Sequence, residues 1–225
     1  MVNLSAVEAR VLGVLMEKEI NTPEYYPLSL NATVNACNQK SSREPVMELS
    51  EAEVRTALFE LDQLGLVRTI AESRATKFEH RVREGLGEPG LRRDEVAVIC
   101  LLSLRGAQTS AELRARTERM YAWDDAAAVL SVLERLAGRE EPLVQLMARQ
   151  AGEREARWVH LVSGPVDVGV GAAEVRGGAE TRVREAGHAA TGLAARVEAL
   201  EEVVRGLEER LRLLESEGSG GGELG

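Results

Sequence analysis

Aromatic side chains are scarce in this chain of 225 residues, at 3%. Any core must therefore be aliphatic, built from Leu, Val, Ile and Ala. Cysteine occurs only as Cys37 and Cys100, too little for a disulfide framework. Both stand among small apolar neighbours, which suits buried thiols in a reducing cytoplasm. The three histidines, His80, His160 and His188, are too scattered to form a metal site at ligand spacing. No apolar run approaches the roughly 18 residues of a membrane span. Glu8, Arg10 and Glu17 interrupt the first apolar pattern, so it lacks the uncharged stretch of a signal peptide. Gly-x-Ser-x-Gly, HExxH and P-loop motifs are all missing, and Gly169-x-Gly171 has no strand before it and no helix after it. These absences lead to the expectation of a non-enzymatic, cytoplasmic protein with no catalytic residues, no metal and no cofactor.

What the sequence does contain is a repeat. Leu12-Gly13-Val14-Leu15 is answered by Ile99-Cys100-Leu101-Leu102, and Thr22 by Thr109, both 87 residues on. Leu61-Asp62-Gln63-Leu64 is answered 72 residues on by Leu133-Glu134-Arg135-Leu136. Lys77-Phe78-Glu79-His80 is answered by Arg157-Trp158-Val159-His160. Within the first copy, Ser5 with Glu8 is a capping box that opens a helix with an apolar face of Val7, Val11, Val14 and Leu15. A second helix starts at Ser29. Ser50 with Glu53 opens a third, running inward through Val54, Leu58, Leu61 and Leu64 to a stop at Gly65. Alternation over residues 66–70 and 75–82 predicts a hairpin around Glu72-Ser73-Arg74. The second copy follows the same order, with helices from Asp94, from Thr109 or Ser110, and from Asp124-Asp125, and a hairpin of residues 143–146 and 157–162.

Three helices closed by a hairpin describe a winged helix. The expected fold is therefore mainly α with small β-hairpins (α+β), as two winged-helix domains in tandem over residues 1–84 and 91–164. Residues 163–192 hold seven glycines and no periodicity, which predicts a flexible linker over 165–192. A heptad follows, with Leu193, Val197, Leu200, Val204, Leu207, Leu211 and Leu214 spaced alternately by four and three. Val at two a positions and Leu at every d position favour a parallel two-stranded coiled coil over 193–217, hence a homodimer. The alternative is one amphipathic helix folded back on the body. Residues 218–225 read as a frayed tail.

Aligned at the first helices the repeats are 87 residues apart, but at the third helices only 72, so the first copy carries 15 extra residues. They fall in Tyr25-Tyr26-Pro27 and in residues 35–47, a stretch dense in hydrogen-bonding side chains: Asn35, Asn38, Gln39, Lys40, Ser41, Ser42 and Arg43. Asn35-Ala36-Cys37-Asn38-Gln39-Lys40 with Arg43-Glu44-Pro45-Val46-Met47 resembles the YceH-like family of bacterial proteins of unknown function. So does Leu104-Arg105-Gly106-Ala107-Gln108-Thr109, continuing with Glu112-Leu113-Arg114 and Arg119-Met120-Tyr121. The resemblance covers roughly residues 4–163. It implies a tandem winged-helix body and a cytoplasmic location, and it carries over no catalytic or ligand-binding residue.

Of the net charge of −9, residues 1–90 carry −4 and residues 91–164 carry zero, so neither winged-helix unit is basic overall, which argues against strong, sequence-independent DNA binding. So do the third helices: Glu51, Glu53, Glu60 and Asp62 face outward on the first against Arg55, with Asp124, Asp125 and Glu134 against Arg135 on the second. Basic residues cluster elsewhere. Residues 66–83 hold Arg68, Arg74, Lys77, Arg81 and Arg83 against Glu72 and Glu79, a local +3. Two functions follow as expectations. One is a DNA-associated or regulatory protein gripping phosphates of double-stranded DNA through Asn38, Gln39, Lys40, Arg43, Arg74, Lys77, Arg81, Arg114, Arg116 and Arg119. The other is a protein-interaction adaptor working through acidic third helices, similar to the tandem winged-helix subunits of chromosome-organising complexes.

Overall fold

The structure, a computed structural model, describes residues 2–71, 75–149 and 153–164. The expected linker, coiled-coil helix with its dimerisation heptad, and tail lie outside the described residues, as does Arg74. Everything described belongs to one compact unit. Its first half runs α1 (Ala6–Asn21), β1 (Leu28–Ser29), α2 (Leu30–Cys37), α3 (Glu51–Gln63), β2 (Val67–Ala71), β3 (Thr76–His80) and α4 (Val82–Gly85). Its second half runs α5 (Arg93–Arg105), α6 (Ser110–Thr117), α7 (Ala126–Ala137), β4 (Val144–Leu146) and β5 (Trp158–His160). The fold is α+β, with antiparallel sheets of order β1-β3-β2 and β4-β5.

Local chemistry sets the helix starts. The Ser5 hydroxyl accepts from the Glu8 amide at 3.2 Å, and the Glu8 carboxylate accepts from the Ser5 amide at 2.5 Å. The same reciprocal box closes Ser50 with Glu53 and Thr109 with Glu112. Each cap satisfies amides that a helix start leaves unpaired, at about 1 kcal/mol apiece. Gly65, with φ +70°, takes the left-handed turn that ends α3.

The core lies along α1 and α5, whose Val11 to Met16 and Val96 to Leu102 are buried. A helix apolar all round has to be covered on every side, and these two are each other's largest neighbours. They meet where Cys100 Sγ approaches the Gly13 carbonyl at 3.3 Å. A Cβ on Gly13 would sit 3.0 Å from Leu104 Cδ2 and 3.2 Å from Ser103 Cβ.

The backbone corrects the repeat alignment. The second helices are capped by Ser29 and Thr109, so Thr109 answers Ser29 rather than Thr22. The third helices are capped by Ser50 and Asp125, and the amides of Leu66 and Leu143 bond the carbonyls of Leu61 and Leu136. Leu61 therefore corresponds to Leu136, an offset of 75, and the first copy is 12 residues longer, not 15. Seven of these precede the second helix and five follow it. In β1, Leu28 pairs with Phe78; in the second copy its counterpart Gln108 makes only a single bridge to Trp158. Leu64, expected inward, is 50% exposed, because the helix is over by Gln63. The α6 helix ends at Thr117.

His80 and His160 do occupy corresponding positions, opposite Val67 and Val144, but their surroundings differ. His80 Nε2 lies 2.9 Å from Glu19 Oε2, while His160 Nδ1 is buried without a hydrogen-bond partner. Burial pushes the His160 imidazole down from 6.5 to about 4. Unfolding lets this ring take a proton near pH 6.5, whereas the folded ring stays neutral until about pH 4. Its contribution is therefore intact above pH 6.5 and is lost as pH falls towards 4, by roughly 2–3 kcal/mol. His160→Leu should lower the stability difference between pH 7 and pH 4.5 by that amount in urea unfolding. An unchanged difference would show that this ring is not the titrating group.

Candidate functional site

The 35–47 stretch, read as a binding loop, is a buttress. The Arg43 side chain is fully buried, and its guanidinium donates to both Glu17 oxygens (2.6 and 3.1 Å), to the Ala36 and Ser42 carbonyls and to Gln39 Oε1 (3.0 Å). Asn38 clamps Leu49, donating to its carbonyl and accepting from its amide, both at 2.8 Å. Arg10 reaches across to the carbonyls of Cys37 and Pro45. The second half takes hold as well: Glu44 donates its amide to the Leu104 carbonyl at 2.8 Å, and Arg105 donates to the Ser42 hydroxyl at 2.5 Å. Ser42, with φ +60°, is held in the left-handed region between these ties. Asn38 and Arg43 are thus engaged internally, Gln39 gives its Oε1 to Arg43, and Lys40 is exposed.

The other basic residues divide similarly. Arg81 Nε lies 3.6 Å from Glu84. Arg116 donates to Gln108 and lies 3.6 Å from Glu112. Lys77 is half-buried on β3. Arg114 and Arg119 are exposed on and just beyond α6. Arg74 is outside the described residues. Arg81 and Arg114 line two different pockets.

Two grooves do occupy matching places in the repeat. In the first, of about 560 Å³, the start of α2, the outer face of α3 and the β2–β3 hairpin enclose Leu30, Phe59 and Phe78. Phe59 is 65% exposed. The charged lining is Glu51, Arg55 and Asp62, and Arg55 is tied to Glu51. Asp62 accepts from the Thr69 amide at 3.1 Å. In the second, of about 570 Å³, α6, α7 and the second hairpin bring together Trp123, Leu130 and Ala126 with Arg114, Glu118 and Glu155. Leu130 is 42% exposed. The Trp123 indole donates to the Thr117 hydroxyl at 2.7 Å, which fixes the ring beside the groove.

Each groove thus holds two carboxylates, one arginine and an exposed large apolar side chain. A solvated apolar ring gains about 1.5–3 kcal/mol when covered, and aromatic anchors of this kind dominate interfaces. Phe59 was missed from sequence, although it left a signal: it stands off the Val54, Leu58, Leu61 stripe, on the polar side of the helix.

The thiols offer no nucleophile. Burial pushes Cys37 up to about 12 and raises Cys100 well above its ordinary value, so both stay protonated. Among the described residues no cluster of His, Cys, Asp and Glu could hold a metal ion, and no helix is long and apolar enough to cross a membrane.

Residues 4–153 match the family described as "Protein of unknown function, DUF480". The chain is also similar to the UPF0502 protein YceH of Escherichia fergusonii, at 49% identity over 212 residues, spanning 92% of this chain and 94% of that relative.

Proposed function

Because the chain belongs to this DUF480 family, whose description assigns no function, we propose its role from its geometry: a non-enzymatic tandem winged-helix protein that docks segments of a protein partner in its two repeat-related grooves. The order helix, helix, helix, hairpin, repeated with matching caps and matching strand registers, supports the winged-helix reading. Phe59 carries the functional one. It stands exposed on the face that a DNA-binding winged helix turns towards the major groove. Its charged neighbours are two carboxylates and an arginine already paired with one of them. That face repels phosphate and welcomes an apolar side chain flanked by lysine or arginine. The nucleic-acid reading keeps support from exposed Lys40, Arg114 and Arg119. The heptad from Leu193 to Leu214 supports a homodimer, which would double the number of grooves.

Selection of displayed random peptides on the full chain tests the proposal. Enriched sequences should combine an aromatic or large aliphatic residue with basic flanks. Phe59→Ser should weaken them by about tenfold or more, with little loss of stability, since Phe59 is 65% exposed. A 20-base-pair duplex should show no binding at ~50 mM salt and micromolar protein, where non-specific binders normally appear. Salt-sensitive DNA binding that survives Phe59→Ser, or peptides indifferent to that substitution, would replace the groove with the exposed cations.

A further inference from the structure

The basic cluster of residues 66–83 is not absorbed by the grooves, and three of its members meet elsewhere. Arg68, Arg81 and Arg83 line a cleft of about 690 Å³ between the two halves of the unit, joined by Arg93 at the start of α5. The cleft is walled by the end of α1, the β2–β3 hairpin, α4 and α5. Ile20 and Met120 supply its apolar lining. Its carboxylates divide unevenly among the cations. Arg68 Nη2 lies 2.7 Å from Glu79, and Arg81 Nε lies 3.6 Å from Glu84.

Glu19 is turned towards His80. The His80 Nδ1 accepts from the Val82 amide at 3.4 Å, so its Nε2 is the nitrogen that donates to Glu19, at 2.9 Å. The imidazole is buried, with 2% of its side chain exposed. The guanidinium groups of Arg83 and Arg93 make no hydrogen bond or ion pair with any described residue. Their fields nevertheless reach Glu19, whose carboxyl is held below its ordinary range chiefly by the His80 hydrogen bond and in smaller part by these two arginines.

The backbone fixes Arg83 in place. Its carbonyl accepts from the Leu91 amide at 2.8 Å, and the chain closes so tightly there that a Cβ on Gly90 would come within 2.4 Å of that oxygen. Two guanidinium groups without a partner among the described residues, in a cleft of ligand size, make a site for an anion with several acceptor oxygens. We propose that this cleft binds a phosphate-bearing small molecule of about mononucleotide size. Arg83 and Arg93 grip the phosphate, and Ile20 and Met120 give the rest of the molecule an apolar seat.

Calorimetric titration of the full chain with inorganic phosphate, AMP and adenosine tests this. AMP should bind saturably, with Kd below about 1 mM at ~100 mM salt, and Arg83→Gln with Arg93→Gln should weaken it by roughly tenfold per arginine. AMP binding tighter than phosphate would bring in Ile20 and Met120 and support the proposal; equal affinity for the two would overturn the apolar seat and the mononucleotide-sized occupant. Should the glutamine pair fail to fold, Arg83→Lys with Arg93→Lys keeps the charge and loses the two-pronged fork, so binding should drop several-fold. No binding of phosphate or AMP at millimolar concentration overturns the assignment. So does binding that adenosine matches, or that both double variants leave unchanged.

Discussion

Arg43→Ala should remove about 3–5 kcal/mol of folding stability, enough to leave much of the chain unfolded at 37 °C. The wild-type guanidinium is fully buried and donates to the Glu17 carboxylate at 2.6 Å. Truncation leaves Glu17, itself only 14% exposed in its side chain, with Lys18 at 3.5 Å in place of its closest cation, and the Ala36 carbonyl without its donor. The cost comes from that abandoned charge more than from the lost attraction. Urea unfolding followed by circular dichroism measures it. The double variant Arg43→Met with Glu17→Leu removes both charges at once and should recover most of the loss, because no buried ion is left behind. A loss below about 1 kcal/mol for Arg43→Ala would mean that Arg43 is a solvated surface cation, and it would return to the candidate phosphate contacts.

Gly13→Leu should cost about 3 kcal/mol or more, near the upper end for overpacking a core. Even a bare Cβ there lies 3.0 Å from Leu104 Cδ2, tighter than ordinary contact, and a leucine carries three further carbons into the same seam. Neighbouring Leu12, Val14 and Leu15 are each no more than 1% exposed, so α1 cannot rotate to relieve the clash without uncovering them. The expected readout is a large drop in melting temperature, or insoluble protein. Gly13→Ala is the graded control. It asks Leu104 and Ser103 to give by a few tenths of an ångström and should cost far less. Equal melting temperatures for wild type and Gly13→Leu would show that α1 and α5 are not packed as described.

These two residues also mark what sequence could and could not disclose. Caps are local, so Ser5 with Glu8 and Ser50 with Glu53 were legible as helix starts and were found with both reciprocal hydrogen bonds. Strand register carried over too, since Phe78 and Trp158, like His80 and His160, are tied to alternating patterns of fixed period. The third helices slipped by three residues because leucines three apart satisfy a helical face in either alignment. Leu61-x-x-Leu64 matched Leu133-x-x-Leu136 by identity, while packing pairs Leu61 with Leu136. The two-residue β1 is too short to show an alternation.

The buttress was misread for a different reason. Asn38, Gln39 and Arg43 form a hydrogen-bonding group that serves a ligand or a backbone equally well. The partner that decides the matter, Glu17, lies 26 residues away, and no local pattern points to it. The basic cluster of residues 66–83 was visible, but Arg93, which completes the cleft with it, belongs to the second copy. Phe59 could have been found by projecting α3 onto a helical wheel, where it falls outside the apolar stripe.

The meeting of Gly13 with Cys100 has a consequence for how the repeat came to be one chain. These two residues are counterparts in the repeat, so at this contact each half meets its own equivalent. In a homodimer of identical copies the dyad would set glycine against glycine, leaving a hole, or cysteine against cysteine, crowding the axis. Covalent fusion lifts that constraint. One half supplies the knob and the other the socket, a complementarity available to a duplicated and diverged sequence and closed to a symmetric pair.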